Sequence, residues 1–190
     1  SGALHGLLQG KGSQRFVIGS HYDSVVEGGA YDGIAGVVCG IEIARHFAPQ
    51  ELPFSLEIVA FNDEEGVRFG GGFLSSKALL GELQPEELQN YRDTKGISCY
   101  EAMQEAGYAP ERLSEAAWDK DKIVGFLEIH IEQGARLYKE HLPLGLVTGI
   151  VGMRRFDIQL TGRADHAGTT PMTLRADALA GAAPFILMAQ

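Results

Sequence analysis

Apolar runs that stop abruptly at acidic or glycine-rich turns dominate the first two thirds of the chain. Arg15-Phe16-Val17-Ile18-Gly19 is rich in β-formers and bounded by polar and glycine residues, and it predicts a short buried strand. After the loop Glu27-Gly28-Gly29-Ala30-Tyr31-Asp32-Gly33, residues 34–47 are apolar and rich in alanine and glycine, which predicts a buried helix closed near Pro49. Ser55 to Phe61 predicts the next strand, and strand, helix, strand is a βαβ unit, so the fold class is α/β. Residues 74–119 carry polar helical pieces instead, around Ser75–Leu80, Glu86–Tyr91, Tyr100–Ala106 and Pro110–Trp118. Ile123 to His130 predicts another strand, Gln133 to Glu140 a short helix, and Leu144 to Val151 a further strand.

At Arg154–Gly162 the pattern changes to clean alternation, as expected of an antiparallel strand with one wet face. A second domain is expected to begin there, which assigns residues 1–152 to one domain and residues 153–190 to the start of another. Arg163 to Pro171 is a loop of small residues, and Pro171 is placed to precede a helix running from Met172 to Gln190.

With 190 residues, 45% of them hydrophobic and 22% charged, the composition is that of an ordinary globular protein. A net charge of -9 and a pI near 5.1 argue against nucleic acid and anionic membrane as partners, because no basic patch can release counterions from phosphate. A small-molecule substrate is expected. The apolar stretches fall short of the roughly 20 residues that span a bilayer and no signal-peptide pattern opens the chain, which reads as cytoplasmic. Cys39 and Cys99 have no close C-x-x-C spacing, so no disulfide framework is expected, and Cys39 reads as a small buried hydrophobe. Any metal would then be held by oxygen and imidazole nitrogen, which suits zinc, manganese or cobalt. The chain opens without methionine and stops inside the last expected helix, and reads as a piece of a longer protein.

Four segments carry candidate chemistry, each at a strand end or in a glycine turn. His21 ends a strand and Asp23 follows two residues on, projecting to the same side in extended backbone, where a carboxylate can fix the tautomer of a metal-binding imidazole. Asp32 stands before a glycine at a helix start, which makes it a ligand or an N-cap. Glu64 and Glu65 diverge at the end of a strand, so one can bind metal while the other moves a proton, or both can form a solvated acidic turn. His130 lies on an apolar strand, as a ligand or a satisfied core histidine. His46 and His141 read as surface or structural residues.

Taken in order, Gly19-Ser20-His21-Tyr22-Asp23-Ser24-Val25, Gly28-Gly29-Ala30-Tyr31-Asp32-Gly33, Asn62-Asp63-Glu64-Glu65-Gly66, His130-Ile131-Glu132-Gln133-Gly134 and Ala164-Asp165-His166-Ala167-Gly168-Thr169-Thr170-Pro171-Met172 resemble the M20-type metallohydrolases. Within them the resemblance is to the branch of N-carbamoyl-L-amino-acid hydrolases, allantoate amidohydrolases and β-ureidopropionases. It implies a central mixed sheet flanked by helices, as in dinuclear zinc exopeptidases, with the start of a smaller α+β dimerisation or lid domain. It also implies an amidohydrolase of linear amides and amidines with two divalent ions, zinc, manganese or cobalt, acting on a small ureido substrate and forming a homodimer at full length.

By the same resemblance, His21 and His130 would bind one ion, Glu65 the other, and Asp32 both. Glu64 would be the general base that takes a proton from the attacking water and returns it to the leaving nitrogen. Asp23 would orient His21, Gln133 would hold substrate, and His166 would come from the smaller domain to stabilise the oxyanion and hold substrate. The family's last metal-binding histidine, its substrate-binding asparagine and its carboxylate-clamping arginine would lie beyond Gln190. Two alternatives stand beside this reading: an M20-type aminopeptidase or N-acyl-amino-acid deacylase, and a non-catalytic homologue whose acidic cluster binds no metal.

Overall fold

Leu4–Leu8 forms strand β1, where the hydrophobic pattern gives no warning of one. Four of its five residues are exposed, as an edge strand permits: a strand that buries neither face needs no alternation. A computed structural model describes residues 1–189, which fall into two units, Ser1–Leu144 and a second from Gly145 onward. In the first unit β1 is followed by β2 (Arg15–His21), α1 (Ile34–Phe47), β3 (Ser55–Phe61), α2 (Leu74–Leu80), α3 (Cys99–Glu105), β4 (Ile123–Leu127) and α4 (Arg136–Glu140). The expected helices at Glu86–Tyr91 and Pro110–Trp118 are 3-10 turns, Glu87–Gln89 and Pro110–Ala116.

The four strands make one mixed sheet in the order β1-β3-β2-β4, with β1 antiparallel to β3 and β2 parallel to both its neighbours. Alternate residues of the central strands face opposite layers. Val17, Val59 and Phe61 pack with Leu79, Ala116 and Trp118 on one side, while Ile18, Leu56 and Ile58 pack with Ile43, Ala44 and Leu52 on the other. Glu57 is buried in the middle of β3, and its two oxygens are met by His5 Nδ1 at 2.8 Å and by an Arg15 guanidinium nitrogen at 2.6 Å. The excursion between β3 and β4 holds a core of its own, built on Leu74, Leu83, Leu88, Cys99 and Leu113.

Helix α1 is not the wholly buried helix that its composition predicts. It packs through Gly36, Val37 and Gly40 and leaves Val38 and Ile41 about half exposed, because a helix on one face of a sheet covers only one stripe. Cys39 is exposed on α1 rather than buried as expected, whereas Cys99 is buried, and burial pushes its thiol up to about 11. Strand β4 ends at Leu127, opposite Ile18, three residues short of His130. Helix α4 begins at Arg136 rather than Gln133, with the Glu132 carboxylate accepting from the backbone N–H groups of Arg136 and Leu137.

Neither Leu144–Val151, which begins at the last residue of the first unit, nor Arg154–Gly162 in the second forms a strand among the described residues. Period-two alternation chooses which face is apolar, but a strand exists only with a partner to pair with. The helix expected over Met172–Gln190 is split into a 3-10 turn, Met172–Leu174, and α5, Ala178–Met188, the final residue lying outside the described ones. Arg175 is extended because its guanidinium reaches back to the carbonyls of Thr170 and Ala167, and Asp177 then caps a fresh helix by accepting from Leu179 and Ala180.

Candidate metal centre

Parallel strands β3, β2 and β4 run out at the same edge of the sheet, so the residues that follow them meet there. His21 is the last residue of β2 and pairs in register with Phe61, the last of β3, which brings Asn62–Glu65 alongside. Asp32 comes to the same place from the turn before α1. That approach depends on Gly33, at φ 66°, where any Cβ would overlap the His21 ring.

The tautomers of the two histidines follow from their neighbours. His21 Nδ1 lies 2.8 Å from the Asp23 backbone oxygen, and His130 Nδ1 lies 2.9 Å from that of Ile131. A carbonyl only accepts, so each Nδ1 carries the proton and each Nε2 of a neutral ring presents a lone pair. These Nε2 atoms stand 3.3 Å apart. Asp32 Oδ1 lies 3.7 Å from the first and 3.2 Å from the second, buried and without a hydrogen-bond partner. Three lone-pair atoms turned on one another with no proton between them are unfavourable alone and suited to a cation. The donor set of two imidazoles and a carboxylate fits zinc, manganese or cobalt.

Asp32 does not cap α1. The N-cap is Gly33, and no side-chain hydrogen bond closes that end. A second group of potential ligands is His21 with Glu64 and Glu65, whose donor atoms lie within 4.8 Å of one another. Burial holds the Glu64 carboxyl above its ordinary range; His21 opposes that shift, and the carboxylates of Glu65, Asp23 and Glu128 add to it. Its oxygens make no hydrogen bond among the described residues, which leaves them open to a proton.

Asp23 orients His21 through its backbone carbonyl rather than its carboxylate, which lies 3.9 Å from Nδ1. The carboxylate is engaged elsewhere: it accepts from the backbone N–H groups of Glu64 and Glu65, both at 3.1 Å, and so holds the acidic turn in place. Gln133, expected to face a substrate, donates its amide to Asp32 Oδ2 at 2.8 Å. Glu128 was not anticipated. It accepts from Ser20 Oγ at 2.9 Å, tying β2 to the segment that carries His130, and a charged residue closing an apolar run was its only signal in the sequence. Asp63 lines a separate cavity of about 260 Å³ with Leu74, Leu88 and Leu113; its Oδ2 is buried there without a partner, and burial raises its pKa.

His166 belongs to the second unit and is exposed. Its Nδ1 accepts from the backbone N–H groups of Gly168 and Thr169 at 3.1 and 3.2 Å, so in the neutral ring Nε2 carries the proton and acts as a donor. His46 and His141 are exposed and join neither ligand group.

Residues 4–106 match the model of peptidase family M28, a metallopeptidase family related to the M20 type that the motifs resemble. The N-carbamoyl-L-amino acid amidohydrolase of Geobacillus stearothermophilus is 44% identical over 192 residues, covering 98% of this chain and 46% of the relative. The allantoate deiminase of Arabidopsis thaliana is 38% identical over 195 residues, covering 98% of this chain and 37% of the relative. Among solved structures, a hydantoinase/carbamoylase family amidase from Burkholderia ambifaria superposes with a TM-score of 0.76 at 32% identity, over 98% of this chain and 46% of the other. The chain thus spans less than half the length of these relatives. The stretch matched by the family model carries His21, Asp32, Glu64 and Glu65, and by that match the chain belongs to peptidase family M28, with amidohydrolases as relatives along nearly its whole length.

Proposed function

We propose that this chain is the metal-binding portion of an amidohydrolase that cleaves a linear amide or ureido C–N bond in an N-carbamoyl amino acid, allantoate or a related ureido acid. The observation that carries this reading is the convergence of His21 Nε2, His130 Nε2 and the unpartnered Asp32 Oδ1. In it, His21, His130 and Asp32 hold one divalent ion, and Glu65 with Asp32 contributes to a second. Two such ions, zinc, manganese or cobalt, would acidify the attacking water and polarise the poorly electrophilic ureido carbonyl.

Glu64 is the general base. Its raised pKa brings it nearer to neutrality than an ordinary glutamate, which suits a group that must take a proton and then return it to the leaving nitrogen. Asp23 positions both partners of this chemistry at once, His21 through its carbonyl and the Glu64-Glu65 turn through its carboxylate. His166, with its proton on Nε2, would donate to charge that develops only in the transition state. Residues 1–152 would form part of the catalytic domain and residues 153–190 the start of a dimerisation or lid domain, in a cytoplasmic homodimer. No described helix is long and apolar enough to cross a membrane.

The test is ammonia release by the intact protein from N-carbamoyl-L-amino acids and from allantoate, with and without added divalent metal, beside Glu64→Gln. Turnover that requires metal, and falls by about 10²- to 10⁴-fold in Glu64→Gln while metal stays bound, is the expected result. The match to a peptidase family supports a second reading, an aminopeptidase or N-acyl-amino-acid deacylase. Inert ureido substrates beside a hydrolysed dipeptide or acylated amino acid would select it.

A further inference from the structure

The two oxygens of Asp32 have different surroundings. Oδ1 is buried, faces both imidazoles and has no hydrogen-bond partner, while Oδ2 accepts the Gln133 amide at 2.8 Å. A carboxylate that held two cations, one on each oxygen, would need both oxygens free, and here one is already taken by a neutral donor. Gln133 itself sits at φ 52°, a left-handed conformation that side chains other than glycine, asparagine and aspartate seldom adopt. Its backbone is pinned on both sides. Before it, His130 Nδ1 bonds the Ile131 carbonyl, and the Glu132 carboxylate reaches past it to accept from the Arg136 and Leu137 N–H groups at the start of α4. The side chain is therefore the part free to change partners.

We infer that Gln133 is a positioning residue that gates the second cation: its amide holds Asp32 with Oδ1 aimed at the two histidines, and must release Oδ2 before a second ion can bind there. This rests on the metal-dependent reading proposed above. The released amide, a donor and an acceptor together, becomes available to a substrate's carbonyl or amide. Loading of the second ion and the grip on substrate are thereby linked through one side chain.

The experiment is a calorimetric titration of the chelator-stripped intact protein with Co²⁺ alone, repeated with Zn²⁺ and followed for cobalt by its visible absorption. Wild type is expected to take up ions in two resolved steps. In Gln133→Ala the second step should tighten by about tenfold, the factor associated with a hydrogen bond to a charged group, while the first weakens or holds. Gln133→Asn, which tolerates the left-handed backbone but has a shorter reach, should behave like Gln133→Ala and guards against a folding defect. A merely structural role would weaken both steps and tighten neither. Two ions bound with the second step unchanged or weakened in both variants would remove the gate and leave the metal reading standing. Failure of wild type to bind any ion would remove both.

Discussion

The two units of this chain carry equally regular hydrophobic patterns and use them differently. In the first, every residue of Ser55–Phe61 is buried, because β1 and β2 flank that strand and helices cover its faces. In the second, the alternating residues Phe156, Ile158 and Leu160 remain 74%, 53% and 42% exposed among the described residues, and their backbone pairs with no other strand. The difference lies in neighbours, not in sequence quality. Alternation states which side of a strand should be apolar, whereas the stabilisation comes from cross-strand pairs and from area removed from water.

The sharpest way to break this comparison is a pair of truncations. Leu88, 1% exposed in the core of the excursion, should cost about 2–5 kcal/mol when replaced by alanine, in transfer free energy and in the cavity left behind. Phe156→Ala should stay within about 0.5 kcal/mol by the same urea unfolding measurement. Comparable losses would mean that the second unit has a core after all.

A smaller effect separates the units through their helix caps. Ser98 and Glu101 form a reciprocal capping box at the start of α3, so Ser98→Ala should lower the stability of the first unit by about 1 kcal/mol. Asp177→Ala removes the cap of α5 and should reduce helical circular dichroism while leaving the first unit's unfolding midpoint in place. A shared shift would show that the two units unfold together.

The smallest effect concerns the cost of the site within the well-packed unit. Because the Glu64 pKa is raised on folding, chiefly by burial, its ionised form is penalised in the native state. Below its ordinary value of 4.5 the group is protonated in both states and contributes nothing; as pH rises above 4.5 the unfolded state ionises first, so a destabilisation grows until pH passes the raised value and then persists. Glu64→Gln should therefore raise the melting temperature of the metal-free protein at neutral pH and leave it unchanged well below pH 4.5. An increase of equal size at both pH values would trace the effect to packing rather than charge.

Much of the candidate site is legible in the sequence, and the reason is topological. Parallel strands place their C-terminal ends at one edge, so polar residues that close successive apolar runs are brought together whatever the intervening sequence. His21 and the Glu64-Glu65 pair could be located this way from periodicity alone, and His130 nearly so. The partners they make there could not. Whether Asp32 caps α1 or faces the histidines, and whether Asp23 acts through its carboxylate or its carbonyl, depends on differences of an ångström or two that no spacing rule encodes.

By itself the sequence determined the α/β alternation, β2, β3 and α1 nearly to the residue, and the chemical character of the candidate donor set. Local hydrophobic period and residue type suffice for these. Only the tertiary structure decided that Leu4–Leu8 is an edge strand, that the alternating Arg154–Gly162 segment pairs with no strand among the described residues, and that Gln133 turns back on Asp32. Each of these depends on which distant group lies within hydrogen-bonding reach, a property of the packed chain rather than of any window along it.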